Sequence, residues 1–405
     1  PAYLIARDAF RTPWMGLLFA FVYLMYAPVQ WISWAMFHPE ALVICPFLFA
    51  WWFATKERWT GFFVFLLLAL STREDVALAV IMMGVVLAVH MRRAPSYRRV
   101  WRMAAAASLL GVVWYVVATK FVIQYFNDGE EPFYITYFYG HYGSDMIEIG
   151  NTILSRPDRV VSDAVQHDRL VFYKQLSWPM GWTYLFNPLA LLMALPQLLA
   201  SVITQTPYAR MIRYQYTSVM IAPIVISSIY GAKALWRFPA AKILLPIWLI
   251  GCAYTTNVAW SPSPIGVDST VWASDNPRND SLREALTYIP DEASVSASYQ
   301  LGPHLAHREQ LYDWPNPFTP HYWGNDNCDH LPSPTVVEYV ILDLGQIGNE
   351  NRALFDAMVA PGGPFEVVFI DEVVVVAHRI GTSPEVDTYP QRDACEVLEL
   401  RRGGG

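Results

Sequence analysis

Charge is scarce in this sequence. Of 405 residues only 16% are charged, whereas 54% are hydrophobic and 15% aromatic; an ordinary soluble domain carries about a quarter charged residues. That shortfall excludes a single water-soluble globule. No cluster of Lys and Arg interleaved with aromatics is present, which argues against a nucleic-acid partner. A GxGxxG loop is missing too, so no nucleotide is expected. Cysteine is sparse, with four residues, and neither CxxC nor Cys/His spacing supports a zinc site. Cys45 and Cys252 lie in apolar runs and read as small buried hydrophobes. Cys328 and Cys395 fall in the polar C-terminal part, where an oxidising compartment would let them pair. The first residue is Pro1, and no signal-peptide layout opens the chain; the reading expects an N-terminal piece to be missing.

What is present is concentrated. Long apolar runs fill residues 13 to 259, and ordinary soluble composition follows from 260. The run Ser261-Pro262-Ser263-Pro264 forms a natural linker. The expected organisation is a transmembrane domain over 1–260, a soluble α/β domain over 261–385 and a tail over 386–405. A helix crosses hydrocarbon in about 20 residues, which places candidate spans at 13–33, 41–55, 59–72, 76–91, 102–125, a pair within 168–204, 217–235 and 242–259, about nine in all. Several are short, and Pro28, Pro46, Pro179, Pro188, Pro196 and Pro223 fall in or beside them, as in broken helices whose backbone is buried by protein.

Orientation follows from positive charge in cytoplasmic loops. The densest basic loop holds Arg92, Arg93, Arg98, Arg99 and Arg102. Placed inside, it puts Arg7, Arg11 and Lys56-Glu57-Arg58 inside, and His38, Glu40, Arg73-Glu74-Asp75 and 127–167 outside. If 168–204 crosses twice, Arg210–Tyr216 and the C-terminal domain are also outside; if once, they invert. Charge favours two crossings. In the soluble part, Ser294–Tyr299 and Val336–Leu344 read as buried strands, Asn349–Val359 as a helix, and Phe365–Ile370 with Val373–Arg379 as a hairpin, the makings of a small Rossmann-like domain. Asp343 at a strand end is either a site residue or a turn cap.

Polar groups thus gather on the outer face: His38, Glu40, Arg73, Glu74, Asp75, then Asp128, Glu130 and Glu131, His141 and Tyr142, and Arg210, Arg213, Tyr214, Gln215 and Tyr216. Ionisable groups beside hydrocarbon are costly and mark function by default. A carboxylate there can act as general base on a hydroxyl, and arginine forks grip phosphate oxygens in pairs. Carboxylates, arginines and aromatics together suit a lipid-phosphate donor. Helix-dipole partners, local caps and interfacial anchors are the plainer roles for the same residues.

The order of motifs resembles the domain-of-unknown-function 2079 family of predicted bacterial and archaeal membrane proteins. The likeness is carried by Phe37-His38-Pro39, Arg73-Glu74-Asp75-Val76-Ala77-Leu78, His141-Tyr142-Gly143-Ser144, and Pro188-Leu189-Ala190-Leu191-Leu192 running into Ala194-Leu195-Pro196. It continues in Gln215-Tyr216 ahead of Pro223, and in the tail in Ala293–Ser298, Pro303-His304-Leu305, Arg308 and Glu338-Tyr339-Val340. The family usually has Lys where Arg73 stands and His where Gln215 stands. Its grouping with the C-type glycosyltransferase (GT-C) superfamily implies a polytopic α-helical enzyme that uses polyprenyl-phosphate sugars, with an acidic residue in a first outer loop that this chain is expected to lack.

The resulting expectation is a GT-C-like glycosyltransferase of a bacterial plasma membrane, inverting, with its C-terminal domain extracytoplasmic. Glu74, Asp75 and His38 are the candidate catalytic residues. Arg73, Glu40, His141, Tyr142, Arg210, Arg213, Gln215 and Tyr216 are the candidate substrate-binding ones. Membrane lipids, a polyprenyl-phosphate-linked sugar and a glycan, lipid or protein acceptor are the expected partners. No metal ligands are assigned, although a divalent metal is compatible with the carboxylates. The rival readings are a transporter or lipid flippase, and a non-catalytic surface-binding membrane protein.

Overall fold

The computed structural model describes residues 1–34, 38–127, 132–267, 276–319 and 331–387. Phe37, Asp128, Glu130, Glu131, Cys328, Cys395 and nearly all of the 386–405 tail lie outside the described residues. The chain divides into two compact units, Pro1–Trp272 and Ala273–Gly405.

The first unit is helical. It contains α1 (Ala2–Phe10), α2 (Pro13–Leu24), α3 (Ala27–Trp34), α4 (Ile44–Thr55), α5 (Trp59–Leu70), α6 (Val76–His90) and α7 (Tyr97–Val117). A π turn at Ala118–Val122 joins α7 to α8 (Ile123–Phe126). Then come α9 (Phe133–Tyr139), α10 (Met146–Ser155), α11 (Pro157–Ala164), α12 (His167–Ser177), α13 (Leu195–Ile203), α14 (Ser218–Leu235) and α15 (Ala241–Trp260).

Among the described residues three helices are long and apolar enough to cross a membrane: Tyr97–Phe126, Gln215–Leu235 and Ala241–Trp260. A fourth results if α2 and α3, bent by 54°, count as one. The apolar stretches containing α4, α5 and α6 are shorter; α5, with 12 residues, reaches only about 18 Å against a hydrocarbon core of about 30 Å. Fewer regular spans are therefore found than the sequence suggested, because turns such as Lys56-Glu57-Arg58 and Arg73-Glu74-Asp75 cut the apolar runs short. At the α2–α3 bend the freed carbonyls are taken up by side-chain amides: Gln30 Nε2 donates to Leu24 O at 2.8 Å, and Asn257 Nδ2 to Met25 O at 2.9 Å. Broken helices need such substitutes where water is excluded.

Charged residues of this unit gather at two ends. At one, Asp8 pairs with Lys56 at 2.8 Å, Ser96 Oγ donates to Glu57 at 2.5 Å, and Lys233 lies 5.4 Å over the Phe10 ring. At the other, Arg73 pairs with Glu40 at 3.0 Å and with Asp75. Along the chain the residues alternate: 8, then 40, then 56–57, then 73–75, then 96. Helix α14 runs from the turn at Gln215–Thr217, near the Arg73 rim, to Lys233 at the Asp8 rim.

Residues 168–204 do not form two regular helices. After α12 the chain descends through 3-10 turns at Trp178–Met180 and Thr183–Phe186, reverses, and returns through Pro188–Met193 to α13. The reversal uses Gly181 and Trp182, both left-handed at φ 59° and 57°; glycine takes that conformation freely and tryptophan does not. The hairpin seats on α14, where Ser227 Oγ donates to Asn187 O at 2.5 Å. Helix α14 is the interior helix, 78% buried over its apolar window, against 11% for the α7–α8 rod. Irregular backbone at such depth is tolerated because protein surrounds it.

Helices α6 and α7 approach closely through glycine. A Cβ at Gly84 would strike Ser108 Oγ and the Ala104 carbonyl, and one at Gly111 would lie 2.9 Å from Ala77 O. Small residues of this kind let backbones meet where the hydrophobic effect supplies no drive. Gly84→Val is expected to cost about 1–3 kcal/mol, read as a lowered unfolding midpoint in detergent; an unchanged midpoint would refute the close contact.

Among its described residues the second unit holds a five-stranded sheet in the order β2-β1-β3-β5-β4. Its strands are β1 (Val295–Ala297), β2 (Leu311–Asp313), β3 (Tyr339–Asp343), β4 (Phe365–Ile370) and β5 (Val374–Arg379), with helices α16 (Pro277–Leu286), α17 (Asn349–Val359) and α18 (Pro384–Asp387). Strands β1, β2 and β3 are parallel, while β5 pairs antiparallel to both β3 and β4. The sheet is mixed, so a Rossmann-like arrangement extends at most to its parallel part. Alternation along β3 explains the layers: Val340 and Leu342 join Phe355 and Met358 of α17, whereas Ile341 joins Ala285 of α16. Asp343 is buried, ion-paired with Arg278, and accepts the Gly345 N–H at 3.0 Å. It closes a turn.

Candidate functional site

The rim of the first unit that holds Arg73 collects most of the polar side chains singled out in the sequence. Two features of local structure put them there. The 3-10 turn Pro39–Val43 carries Glu40 into the helix entry. The five-residue break between α5 and α6 presents Arg73 and Asp75, with Asp75 at the N-cap of α6 yet accepting no backbone hydrogen bond there. Its carboxylate is taken by Arg73 instead: Nε donates to Oδ1 at 2.7 Å and Nη2 donates to Oδ2. The same guanidinium donates from Nη1 to Glu40 Oε1 at 3.0 Å and from Nη2 to Gln197 Oε1 at 3.4 Å. Burial opposes charge on Arg73, but the adjacent Asp75 and Glu40 outweigh it and raise its pKa.

Glu74 is different. It is half-buried and enters no ion pair among the described residues. Burial raises its pKa; its own backbone N–H and Arg73 pull the other way, and the charges of Asp75 and Glu40 add to the rise. Tyr134 and Tyr139 of α9 border the group, both pushed up to about 12 chiefly by burial. With Glu40, Glu74 and Asp75 ionised against one arginine, the group is net negative. Arg73 is thus saturated by carboxylates rather than open to a phosphate.

A second group lies along the same rim. Asp168 accepts from Arg169 Nη1 and from Arg210 Nε, each at 2.8 Å. Both arginines are buried because they also serve the end of α13, where carbonyls lack helical partners: Arg169 Nε donates to Val202 O at 3.3 Å, and Arg210 Nη1 to Thr204 O at 2.5 Å. Burial and the neighbouring Arg169 lower the pKa of Arg210, with Asp168 opposing. Burial would raise Asp168, but its two arginine hydrogen bonds bring it below the usual range. Close by, Tyr142 donates to Asp163 Oδ2 at 2.7 Å beneath Arg159, whose guanidinium lies 4.5 Å over the ring. The pKa of His141 is lowered by burial and then by Arg159, and its Nδ1 is buried with no hydrogen-bond partner among the described residues.

An aromatic shelf of Phe138, Tyr208, Tyr214 and Tyr216 adjoins both groups, with Tyr208 and Tyr216 ring centroids 5.8 Å apart. It is held by Gln205 N–H donating to Phe138 O at 3.0 Å. Arg213 stands apart from the Asp168 pair, 4.6 Å over the Trp31 ring. Gln215 opens the turn into α14, where its carbonyl accepts from Ser218. His38 precedes Pro39 and makes no cap hydrogen bond.

The fold therefore brings Glu40, Arg73, Glu74 and Asp75 together, and sets His141, Tyr142 and Arg210 in a second cluster. Residues not singled out beforehand complete both: Gln197, and Asp168 with Arg169. Gln197 was visible as a lone amide in the apolar run 188–203. No three His, Cys, Asp or Glu side chains are arranged to hold a metal ion among the described residues.

Loss of the Asp168 bridge would leave two buried arginines side by side. Asp168→Asn is expected to lower the unfolding midpoint at neutral pH. Asp168 has a depressed pKa, so its contribution is present above the unfolded value and lost as pH falls through the folded one. The gap between wild type and variant should therefore close on acidification; a gap constant with pH would refute the bridge.

Residues 1–356 match the family described as "Predicted membrane protein (DUF2079)". The chain belongs to this family. The match covers both rim clusters of the DUF2079 protein and most of its second unit, ending within α17. No curated protein matches the sequence. Family and apolar helices together make the DUF2079 chain a membrane protein.

Proposed function

We propose that this DUF2079 protein is a membrane glycosyltransferase of GT-C type, transferring a sugar from a polyprenyl-phosphate donor to an acceptor hydroxyl at the Arg73 rim. The observation that carries the reading is Glu74: a half-buried carboxylate with raised pKa, outside any ion pair among the described residues, beside an arginine already held by two other acids. Such a group is suited to take a proton. In the proposed step the acceptor hydroxyl gives its proton to Glu74 and its oxygen attacks the anomeric carbon from the face opposite the phosphate. The bond from that carbon to the phosphate oxygen breaks, and the electron pair leaves with the polyprenyl phosphate, inverting the centre. Asp75 and Glu40 fix Arg73, which orients the loop bearing Glu74. Arg213 and the Asp168–Arg210 group offer positive charge to the phosphate, His141 and Tyr142 orient substrate with His38 at the helix entry, and the shelf of Tyr208 and Tyr216, beside Gln215, offers flat faces to a sugar.

The charge distribution supports a bacterial plasma-membrane orientation in which the rim near Arg92–Arg102 is cytoplasmic and the second unit extracytoplasmic. The test is turnover of labelled polyprenyl-phosphate sugars by the full-length protein in lipid vesicles. Glu74→Gln should reduce turnover by about a hundredfold, at the lower end of what a general base contributes; equal turnover would remove Glu74 from the chemistry.

One observation favours a lipid flippase as a second reading. The hairpin through Trp178–Met193 is irregular backbone deep beside α14, a feature of discontinuous transporter helices. In the same vesicles a flippase would move labelled lipid between leaflets without releasing sugar.

A further inference from the structure

Helices α10 and α11 carry more apolar surface than the protein covers. At about 100° per residue, Ile149, Ile153, Met146, Gly150, Leu154 and Ile147 follow one another around a continuous apolar arc of α10. Asn151, Ser155, Glu148 and Thr152 occupy the remainder. One edge of the arc packs inward: Ile149 is buried with Ile135 and Tyr142, and Ile153 joins them. The other edge is open, Ile147 being 76% and Leu154 82% exposed. Helix α11 repeats the design. Val160 and Ala164 pack on the same cluster, while Val161, the adjacent position of its arc, and Val165 at its C-cap are each 62% exposed. Its polar side carries Asp158, Arg159, Ser162 and Asp163.

The surroundings point to lipid over this open edge. Tyr115, on the outward-facing α7–α8 rod, lies within electrostatic reach of Glu74 and Asp75. The rod continues past that level to Phe126, about 16 Å further along its axis, and Phe121, Tyr125 and Phe126 are exposed there. If these exposed apolar side chains face lipid, with Lys120 among them able to extend its ammonium toward the headgroups, the membrane boundary reaches beyond the depth of Glu74. Helices α10 and α11 follow the rod in sequence and are tied by Tyr142–Asp163 to the same rim.

We infer that α10 and α11 lie in the membrane–water interface at the Arg73 rim, with Ile147, Leu154, Val161 and Val165 in the boundary between headgroups and acyl chains. Interfacial helices sink their apolar side about 5–10 Å into that layer. The partner is the lipid surface itself. Because Asp163 and Tyr142 bridge α11 to the His141 turn, this anchoring holds the second rim cluster at headgroup depth, where a phosphate attached to a lipid would reside. The inference rests on the membrane assignment and not on the proposed transfer reaction.

Spin labels decide it in the full-length chain reconstituted in phosphatidylglycerol/phosphatidylethanolamine vesicles, with native cysteines replaced by serine. Labels at Ile147→Cys, Leu154→Cys and Val161→Cys should collide several-fold more with oxygen, which concentrates in lipid, than with a water-soluble nickel chelate. Labels at Asn151→Cys and Ser162→Cys should show the reverse. All five sites are exposed, so labelling removes no packed side chain. Equal nickel access at both sets would place the helices in water. Protection of the first set from both reagents would mean that protein covers the edge, either the second unit or another copy. Either result overturns the inference, and neither bears on whether sugar is transferred.

Discussion

Arg73→Ala is expected to destabilise the protein by about 3–5 kcal/mol, the range seen when one member of a buried ion pair is removed. The guanidinium is the only cation bonded to Glu40 and Asp75 among the described residues, and it also reaches Gln197. Without it, three carboxylates share a half-buried rim with no compensating charge. Arg73→Lys should recover only part of the loss, since a compact ammonium lacks the planar fork that grips both oxygens of Asp75 while reaching Glu40. The triple variant Glu40→Gln, Arg73→Met, Asp75→Asn should recover most of it, because removing all partners leaves no orphaned charge. Thermal unfolding in detergent measures each. An Arg73→Ala protein within about 0.5 kcal/mol of wild type, the usual spread of surface substitutions, would show that the cluster contributes nothing to the fold.

The same group has a pH signature. Glu74 has a raised folded pKa, so its favourable contribution is full below the unfolded value and declines as pH rises through the folded one. Asp168 acts in the opposite sense on the same rim. In Arg73→Ala the unpaired acids should make this decline steeper, so acidification from about pH 8 toward about pH 5 should partly rescue the variant. Adding Glu74→Gln should flatten the profile at the pH range where Glu74 titrates.

Much of this was legible in the sequence because charge in an apolar chain has few places to go. The clusters at Glu40, Arg73-Glu74-Asp75 and Lys56-Glu57 interrupt apolar runs, and rim positions follow from counting helices between them. Val- and Ile-rich runs likewise marked the β4–β5 hairpin and strand β3. What the sequence hid were pairings and irregular backbone. Nothing local distinguishes Asp75, locked by Arg73, from Glu74, left outside ion pairs. Arg169 and Arg210 bond carbonyls at the end of α13, and such contacts leave no periodic trace. The apolar content of 178–193 matches a span, yet its 3-10 turns arise from Pro179 and Pro188 together with the seat that α14 provides.

That seat yields the second large expectation. A Cβ at Gly231 would collide with the carbonyl oxygen of Thr183 and lie 2.7 Å from its carbon and 3.2 Å from Tyr184 Cα. These are backbone atoms of a turn whose conformation is already constrained by left-handed Trp182, so no side-chain rotation relieves the clash. Gly231→Val must push the hairpin off α14, at a cost above the 1–3 kcal/mol of ordinary overpacking. The damage should also travel. Fifteen residues of helix, about 22 Å, separate Gly231 from Tyr216, but the hairpin returns from Thr183 to Gln197, which bonds Arg73. Gly231→Val should therefore expose 181–187 to proteolysis and also disturb the rim. Gly251 provides the control: a Cβ there meets nothing within 4 Å, and Gly251→Ala on exposed α15 should raise stability by about 0.5–1 kcal/mol through helix propensity alone. Equal behaviour of the two glycine variants would mean that the hairpin is not seated on α14, and that the path from the deep turn to Arg73 does not exist.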